Sequence, residues 1–458
     1  MQLVAGLDVG GSSVKAWVHE VGGTLLASVT VPTRTLRPAE HRAEFDDAEW
    51  TAACRQALTA VVDRSGGGDW LGVTVSSLRQ GFVLLDGDGE VLGNGVLNSD
   101  RRGAAHDGVL AGRYALTGHW PAPELTLPKL LAVQAEEPDR WAAARRVLFV
   151  HDWLLWRLCG VQVTEVSYAC AGGMADVARR SWATDLLQDS GIRPNLLAPL
   201  VEAGTVVGDV MAGWGLPVGL PVVSGCGDTQ LAAMAAGGLA DGVVTVVAGS
   251  STPVQAATSR PVMDPLERPW VSTHAAPDLW AVEGNAGYPG AFSGWWSSFA
   301  GAEVADDPGG VVAVTATPRW SQPTWQVKPP WSLVGVGPAT TPGQVARALL
   351  EAHAFGAAGG VLDLERVLGR PAQHVVVAGG AAAALAPVLA QVLGRDLRLA
   401  TDGPAMAGTT LVARSVGAHA HRPALPRTVI PAGDPAPLAV RRDRWLHVTQ
   451  ALRTALPE

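Results

Sequence analysis

The residue best placed to do chemistry in this chain is Asp228, in the segment VVSGCGDTQLAAMAAGG. An apolar run ends in Gly225-Cys226-Gly227, and a helix-forming run begins directly after the aspartate. A carboxylate at such a junction can act as a general base, because the glycines leave room for a substrate hydroxyl within hydrogen-bonding reach. It can also simply cap the helix. The two roles are compatible, so both interpretations stand here.

Two small-residue turns have the pattern of phosphate-binding hairpins. The stretch LVAGLDVGGSSVKAWV contains Gly11-Ser12-Ser13, and GVVTVVAGSSTPVQAA contains Gly249-Ser250-Ser251. Apolar runs on both sides predict strands, and a glycine tip offers backbone N–H groups that a phosphate can approach closely. Only the first copy carries an acid, Asp8, where the second has Val246. The pair predicts a nucleotide clamp divided between two domains, with an ordinary structural turn as the alternative for either copy.

Polar side chains follow two further predicted strands. Arg79 and Gln80 lie in SSLRQG after one strand, and Asp100 lies in NSDRR after the next. Paired strands would bring these polar ends together, and charged groups there could bind the hydroxyls of a polyol. A solvated loop is the alternative interpretation.

A fourth candidate is the turn Gly379-Gly380 between the apolar run HVVVA and the helix-forming run AAAALAPVLAQVLG. Two glycines let a flat ligand approach the backbone, and the N-terminus of the following helix favours anions. The chain has no GxxxxGK[ST] phosphate loop, no zinc-type ligand cluster and no GxSxG elbow. Those motif-defined classes of nucleotide, metal and hydrolase site are therefore excluded.

The elements that must position these residues repeat along the chain. Alternation and apolar runs predict strands, and residues 47–63 carry helical spacing, as does a long stretch at 341–368. The predicted strands are 3–9, 14–18, 24–31, 71–75, 82–85 and 374–378. A similar order of strands and helices in each half predicts two α/β domains, 1–237 and 238–458, with a helical tail from about residue 422.

Composition limits the possible functions. The 458 residues are 48% hydrophobic, which is enough for two sizeable cores. The net charge is −8 without a basic stripe, so nucleic acid is not an expected partner. No apolar run reaches membrane-spanning length. Four scattered cysteines and no basic leader predict a cytoplasmic protein, which we expect to be a monomer or homodimer.

Taken together, the motifs resemble the FGGY family of carbohydrate kinases, in the actin–hexokinase–Hsp70 ATPase superfamily. The resemblance runs through nearly the whole chain in order, in DVGGSSVK, SSLRQGFVLLD, NSDRR, HDWLLWRLCG, GCGDTQ, VVAGSST and VVVAGGAAAAL. The segments SSLRQG, EAGTVVG, GDTQL and STHAAPDLWAVEGNAGYPGAFSGWW are most similar to the autoinducer-2 kinase branch. Xylulokinases usually have Met-His-Gly where Arg79-Gln80-Gly81 stands.

The resemblance implies two ribonuclease-H-like domains around a cleft, with sugar bound mostly by the first and ATP by the second. It assigns Asp228 as catalytic base, Asp8 as the acid near Mg²⁺, and Arg79, Gln80, Asp100 and Asp228 as substrate contacts. The implied ATP contacts are Gly10, Gly11, Ser12, Ser13, Lys15, Gly249, Ser250, Ser251, Gly379, Gly380 and Ala381. The run Ala381–Ala384 stands where the family's adenosine loop usually has a third glycine and a later polar residue.

The sequence thus predicts an ATP- and Mg²⁺-dependent kinase acting on a hydroxyl of a small sugar or polyol, such as an autoinducer-2-like molecule. One alternative is a xylulokinase-type pentulose kinase. Two others are a non-catalytic sugar or nucleotide sensor of the same fold and a bare ATPase. Asp8 together with Asp228 argues against the sensor, and the sugar-facing cluster argues against the bare ATPase.

Overall fold

A computed structural model describes residues 1–301, 303–315, 331–401, 403–420 and 423–455. The chain forms two compact units. The first comprises Met1–Ala235, Val271–Trp280 and Pro404–Pro423, and the second comprises Ala236–Trp270, Ala281–Gly403 and Ala424–Glu458. Among the described residues, no helix is both long and apolar enough to cross a membrane.

Elements up to Ala235 all belong to the first unit. The strands are β1 (Gln2–Val9), β2 (Ser13–Glu20), β3 (Leu25–Pro32), β4 (Glu44–Phe45), β5 (Asp69–Ser77), β6 (Phe82–Leu85), β7 (Gly95–Val96), β8 (Arg146–Phe149), β9 (Thr164–Glu165), β10 (Ala175–Asp176), β11 (Ser181–Trp182), β12 (Leu200–Val201), β13 (Val206–Asp209) and β14 (Pro221–Gly227). The α-helices are α1 (Asp47–Arg64), α2 (Tyr114–Thr117), α3 (Thr126–Glu136), α4 (Pro138–Ala143), α5 (Val150–Cys159), α6 (Val166–Ala171), α7 (Thr184–Asp189) and α8 (Asp228–Ala235).

The elements after Ala235 follow in chain order. The strands are β15 (Val243–Val247), β16 (Pro253–Thr258), β17 (Trp270–Thr273), β18 (Trp280–Asn285), β19 (Val312–Val314), β20 (Ser332–Val334), β21 (His374–Ala378), β22 (Leu397–Leu399) and β23 (Val429–Ile430). The helices are α9 (Pro289–Ala300), α10 (Pro342–Leu368), α11 (Ala382–Leu393), α12 (Pro404–Ser415) and α13 (Ala436–Ala455).

The main sheet of the first unit has the order β13-β14-β5-β1-β2-β3. Strand β1 is antiparallel to β2 and parallel to β5, and β14 is parallel to β5. The predicted helix 47–63 is confirmed as α1, which Asp46 caps by accepting a hydrogen bond from the backbone N–H of Glu49. Its predicted apolar face is buried against β2 and β3, at Trp50, Ala53, Cys54, Ala57, Leu58 and Val61. These contacts fix the sheet whose strand ends carry Asp8, Arg79 and Asp228.

The second unit repeats this local arrangement. Its strands run in the order β18-β16-β15-β21-β22-β23 within their sheet. Strand β15 is antiparallel to β16 and parallel to β21, as β1 is to β2 and β5. The long helix α10 begins with a reciprocal capping box between Thr341 and Gln344. The duplicated strand–turn–strand pattern read in the sequence is therefore present in both units.

The division of the chain differs from the predicted stretches 1–237 and 238–458. The chain first leaves the first unit after Ala235, but Val271–Trp280 and Pro404–Pro423 belong to that unit as well. The physical reason is packing: α12 contacts β1, β5 and α8, and a Cβ added at Gly408 would lie 2.8 Å from the Trp17 ring. The predicted helical tail corresponds to α13, and residue 422 lies outside the described residues.

Candidate active site

Asp8 lies near the end of β1, between two polar neighbours. The strand register places it opposite Lys15 of β2 and Ser76 of β5, and the Ser76 hydroxyl donates a 2.9 Å hydrogen bond to Asp8 Oδ1. Burial and, to a smaller extent, the negative charge of Asp228 raise the pKa of Asp8 to about 6, against the opposing effects of Ser76 and Lys15. The two acids singled out in the sequence therefore lie close enough to interact electrostatically.

Asp228 is the first residue of α8, directly after β14. Its Oδ1 accepts hydrogen bonds from Thr229, at 2.7 Å from the backbone N and 3.3 Å from the hydroxyl. The side chain is nevertheless 51% exposed. The carboxylate thus makes local bonds at the start of the helix and keeps about half of its surface exposed, and its role as a base stays a prediction.

Arg79 is the predicted sugar contact that the structure brings to Asp228. Its Nε lies 4.0 Å from Asp228 Oδ1, and only 13% of its side chain is exposed. The next residue, Gln80, is buried and has a left-handed backbone with φ of 68°, and its carbonyl accepts a 3.0 Å bond from the Thr126 hydroxyl. A left-handed non-glycine residue costs energy and occurs preferentially at functional sites.

Asp100 has a different place from the one predicted. None of its side chain is exposed, and its oxygens accept bonds from the backbone N of Ala43 (2.7 Å) and from Arg102 Nε (2.8 Å) and Nη2 (2.9 Å). Burial opposes ionisation of this carboxyl, but the bonds from Arg102 and Ala43 hold its pKa below the usual value. The prediction that Asp100 contacts substrate is therefore corrected, since its carboxylate is committed to a buried guanidinium.

The first hairpin tip connects β1 to β2. The Gly10 N–H donates to Ser13 O (2.9 Å), Thr33 N–H donates to Ser12 O (3.0 Å), and the Thr35 hydroxyl donates to Gly11 O (3.1 Å). Gly11 and Ser12 are exposed, and a Cβ added at Gly11 would meet only Asn98 Oδ1, at 4.0 Å. The tip is held from its carbonyl side, and space remains in front of its glycine.

In the second unit, two predicted turns lie side by side: Gly249–Ser251 and Gly379–Ala381. We call the candidate site residues of each unit its half-site. Ala248 N–H donates to Ala378 O at 2.7 Å, and Ala381 N–H donates to Ala248 O at 3.1 Å. Gly379 has φ of 100°, and a Cβ there would lie 2.6 Å from Ala248 O, so only glycine fits. A Cβ at Gly380 would meet nothing within 4 Å, which leaves open space in front of the α11 N-terminus.

Two further groups fix the second hairpin, and neither was predicted. At the start of α9, a Cβ on Gly290 would lie 2.0 Å from Gly249 O, and Ala291 N–H donates to Ser250 O at 3.1 Å. Behind the tip, the Thr252 hydroxyl and His353 Nε2 are 2.8 Å apart. Burial lowers the pKa of His353 to about 4, so this histidine is neutral at pH 7. In the sequence His353 is an isolated histidine in an apolar helix, which gives no signal of such a contact.

The acids of the first unit suit Mg²⁺ better than a metal with a full protein ligand set. Among the described residues, no group of three or more His, Cys, Asp or Glu side chains could hold a metal ion. Mg²⁺ in kinases usually takes one or two carboxylates and completes its shell with phosphate oxygens and water. Asp8, with a raised pKa and Asp228 nearby, fits that donor set, because an adjacent cation would offset both burial and repulsion.

Most of the chain matches one family. Residues 3–235 match the N-terminal domain and residues 244–415 match the C-terminal domain of the FGGY family of carbohydrate kinases. The chain belongs to this family. The resemblance drawn from the sequence motifs is thereby confirmed, and the half-sites described above lie within the matched ranges.

Similar curated proteins include several sugar kinases. The chain is 30% identical over 62% of its length to the putative sugar kinase YoaC of Bacillus subtilis, and 29% identical over 65% to the autoinducer-2 kinase of Klebsiella pneumoniae. These matches span 59% and 58% of the relatives' own length. The xylulose kinase of Escherichia coli is 26% identical over 87% of this chain and 86% of its own length.

Solved FGGY kinase structures share the fold over almost the entire chain. The xylulose kinase of Rhodospirillum rubrum is 26% identical with a TM-score of 0.82, covering 99% of both chains. A xylulose kinase structure from Brucella ovis gives a TM-score of 0.86 at 24% identity, covering 99% of this chain and 100% of its own. The expected α/β class with two actin-like ATPase domains is confirmed.

Proposed function

We propose that this FGGY protein is an ATP-dependent kinase that phosphorylates a hydroxyl of a small sugar or polyol. The observation that carries the proposal is the pairing of a half-exposed carboxylate, Asp228, with Arg79 at 4.0 Å on the same unit as the buried acid Asp8. A sensor needs no general base, and a bare ATPase needs no guanidinium placed to bind a sugar.

In the proposed reaction the substrate hydroxyl oxygen attacks the γ-phosphorus of ATP in line with the bond to ADP. A new P–O bond forms to the sugar, the bond to the β-phosphate oxygen breaks, and ADP leaves with that electron pair. Asp228 takes the hydroxyl proton. Arg79 can only donate hydrogen bonds, so it orients the substrate through hydroxyl oxygens and holds Asp228 by charge.

The nucleotide half of the reaction is assigned to the second unit. Backbone N–H groups and hydroxyls at Gly249–Ser251 suit phosphate oxygens, and the space beside Gly380 suits the adenosine. These backbone N–H groups and hydroxyls are uncharged, so no counter-ion is needed at the turn when no phosphate is bound. The first hairpin, Gly10–Ser13 with Lys15, supplies the corresponding phosphate contacts on the sugar side.

Mg²⁺ fits at Asp8, where it would neutralise charge developing on the transferred phosphoryl group. Asp8 itself is held for this role by the Ser76 hydroxyl and by Lys15, which both favour its ionised form. Because ATP is a substrate, we place the activity in the cytoplasm. A monomer or homodimer remains the prediction for its assembly.

We propose an autoinducer-2-like molecule, a short linear or readily opened five-carbon sugar with a primary hydroxyl, as the substrate. Support comes from the motifs around Arg79-Gln80-Gly81 and from the similarity to the autoinducer-2 kinase of Klebsiella pneumoniae. The second candidate is a pentulose such as xylulose, favoured by the match to xylulose kinase over 87% of the chain.

The deciding experiment measures ADP release with ATP and Mg²⁺ against a panel of ketoses, polyols and the autoinducer-2 precursor. We expect sugar-dependent ADP release with a five-carbon substrate and a phosphorylated product of matching mass. Turnover that no sugar stimulates would favour the bare ATPase. Binding of sugar or ATP with no turnover for any member of the panel would favour the sensor.

A further inference from the structure

The strand that leads to Asp228 ends in an irregularity. In β14 Ser224 pairs with Val75 and Gly227 pairs with Ser77, so Gly225 and Cys226 together face the single residue Ser76 of β5. A Cβ added at Gly225 would lie 1.9 Å from Val75 O, so only glycine permits this close approach. A bulge of this kind takes backbone groups out of the ladder and redirects the chain that follows. Here the chain that follows is Asp228.

Two consecutive residues of α6 bind the backbone at this bulge. The Tyr168 hydroxyl donates to Cys226 O at 3.0 Å, and Gly227 N–H donates to Ser167 Oγ at 3.3 Å. The Tyr168 oxygen also accepts from Ser77 N at 3.0 Å, which ties the end of β5 to the end of β14. Ser167 and Tyr168 have no exposed surface. Polar groups buried this deeply are costly to leave unsatisfied, so the contacts hold both strand ends firmly.

The side chains of Ser167 and Tyr168 are each fixed by a further buried residue. The Ser167 hydroxyl donates to an oxygen of the buried Glu165 carboxyl group, and the same oxygen accepts from Ser167 N at 3.1 Å. The Gly227 N–H donates to the Ser167 hydroxyl, which in turn donates to Glu165, so the two hydrogen bonds run in the same direction and strengthen each other. The Tyr168 ring stacks on His151 with 4.6 Å between centroids. The two anchors have little freedom to follow a movement of the backbone that they hold.

We propose that Ser167 and Tyr168 are positioning residues that fix the direction of the Asp228 carboxylate in the phosphoryl transfer proposed above, on which this inference rests. They bind the carbonyl and the N–H of the single peptide group that joins Cys226 to Gly227, and they do not touch the reactants. Glycines at 225 and 227 leave the backbone free to rotate unless something else holds it. Misplacement of a catalytic group by about 1 Å costs on the order of 10²-fold in rate.

The kinetic test uses variants that remove one oxygen each. Tyr168→Phe keeps the stacked ring, and Ser167→Ala keeps the helix. We expect kcat to fall about 10- to 100-fold in each, with KM for ATP and sugar within about twofold of wild type. Ser167→Thr, which keeps the hydroxyl, should recover most of the rate. Tyr114→Phe, at another buried tyrosine, is the control for general loss of stability.

A readout that needs no substrate is hydrogen exchange at the junction. Tyr168→Phe and Ser167→Ala should speed amide exchange in peptides covering 222–231, and Tyr114→Phe should not. Unchanged exchange there, or faster exchange with wild-type kcat, would overturn the inference. If the wild type phosphorylates no sugar while exchange at 222–231 rises as expected, the proposed function fails and the anchoring of the Asp228 backbone stands.

Discussion

The candidate site residues of the first unit and those of the second unit differ in charge. In the first unit the chemistry-bearing groups are ionisable: Asp8 and Asp228 interact electrostatically, and Arg79 lies 4.0 Å from Asp228. In the second unit the corresponding turns consist of small neutral residues, Gly249–Ser251 and Gly379–Ala381. The histidine behind the second hairpin is neutral at pH 7 as well, because burial lowers its pKa to about 4.

This difference arises on the same local frame. In β1, Asp8 pairs in register with Lys15 and Ser76, whereas in β15, Val246 pairs with Val254 and Val377. Val246 is fully buried among apolar residues. The equivalent strand position therefore carries a hydrogen-bonded acid, Asp8, in the first unit and an apolar core residue, Val246, in the second.

The comparison indicates where the proposed kinase carries charged groups and where it carries neutral ones. A carboxylate is useful where a proton is taken up or a cation is held. The same group would repel the phosphates of a nucleotide, which backbone N–H groups and hydroxyls bind without such a penalty. We infer that the two copies of the hairpin have divided these tasks, and the following variants test that division.

Asp228→Asn should cause the largest loss. The amide keeps the size and can still accept from Thr229, but it cannot take up a proton, so kcat should fall about 10²- to 10⁴-fold. Steady-state ADP release measures the effect, and thermal unfolding should show little change. Asp176→Asn is the matched control, because Asp176 also accepts local backbone bonds, from Ala178 and Arg179. Turnover like that of wild type in Asp228→Asn would leave Asp228 as a helix cap.

Asp100→Ala and Arg79→Ala should have different effects, because we expect Asp100 to stabilise the fold and Arg79 to bind the sugar. Removing Asp100 takes one of three carboxylate partners from the Arg102 guanidinium, which keeps Glu44 and Glu137, and leaves the Ala43 N–H without its acceptor. We therefore expect a loss of about 1–3 kcal/mol in unfolding free energy. Arg79→Ala should keep the stability and ATP binding and lose sugar-stimulated turnover. Denaturant unfolding and ADP release measure the two effects. A stable Asp100→Ala variant that loses only its sugar response would restore Asp100 as a substrate contact.

Asp8→Asn should lower kcat and raise the free energy of unfolding at alkaline pH. The folded protein raises the pKa of Asp8 from 3.8 to about 6, so folding favours the protonated acid, and stability is lost as pH rises between these values. At pH 8, in the absence of Mg²⁺, Asp8→Asn should be more stable than wild type by up to about 3 kcal/mol, and the gain should vanish near pH 4. Its kcat should fall and lose its steep Mg²⁺ dependence.

Val246→Asp is the reciprocal change in the second unit. It places an unpaired carboxylate in an apolar core, so it should destabilise the protein and bring no new Mg²⁺ dependence. Sugar affinity that collapses in Asp8→Asn, with Mg²⁺ dependence unchanged, would assign Asp8 to the sugar instead.

Gly380→Val and Gly249→Val should have the smallest effect, on nucleotide binding alone. A Cβ at Gly380 meets nothing within 4 Å, and one at Gly249 meets Ser251 O at 3.4 Å, so the protein itself accommodates the first atom of the side chain. We expect KM for ATP to rise about tenfold, or about 1.4 kcal/mol, with sugar affinity retained. Gly337→Val, also facing open space, is the control. Unchanged ATP kinetics in both variants would count against a nucleotide site there.

Local pattern was sufficient for helix α1, for the predicted strands and for the glycine turns. The apolar face of α1 was readable from its 3.6-residue spacing, because a helix on a sheet buries one stripe. The two glycine-serine hairpins and the Gly379-Gly380 turn were readable because each is a short break between apolar runs. The strand ends carrying Arg79 and Asp228 were readable for the same reason.

Long-range partners were not readable. The commitment of Asp100 to Arg102 and Ala43 depends on a contact with a segment 57 residues away in the chain. The contacts of Tyr168 with Ser77 and of His353 with Thr252 span 91 and 101 residues. An aspartate in a polar run looks alike whether it faces solvent or a buried guanidinium, because its surroundings come from distant parts of the chain.

By itself, the sequence determined the fold family, the duplicated hairpin and the identity of Asp8 and Asp228 as its candidate acids. The fold family follows from the resemblance of the motifs to a known family, and the hairpins and acids follow from small-residue turns and residue type, which are local properties. Only the tertiary structure decided which charged side chains are exposed, which form buried ion pairs, and which side chains hold the backbone at Asp228. Burial and hydrogen bonding between distant segments set those outcomes, and they exist only once the strands of each unit have come together.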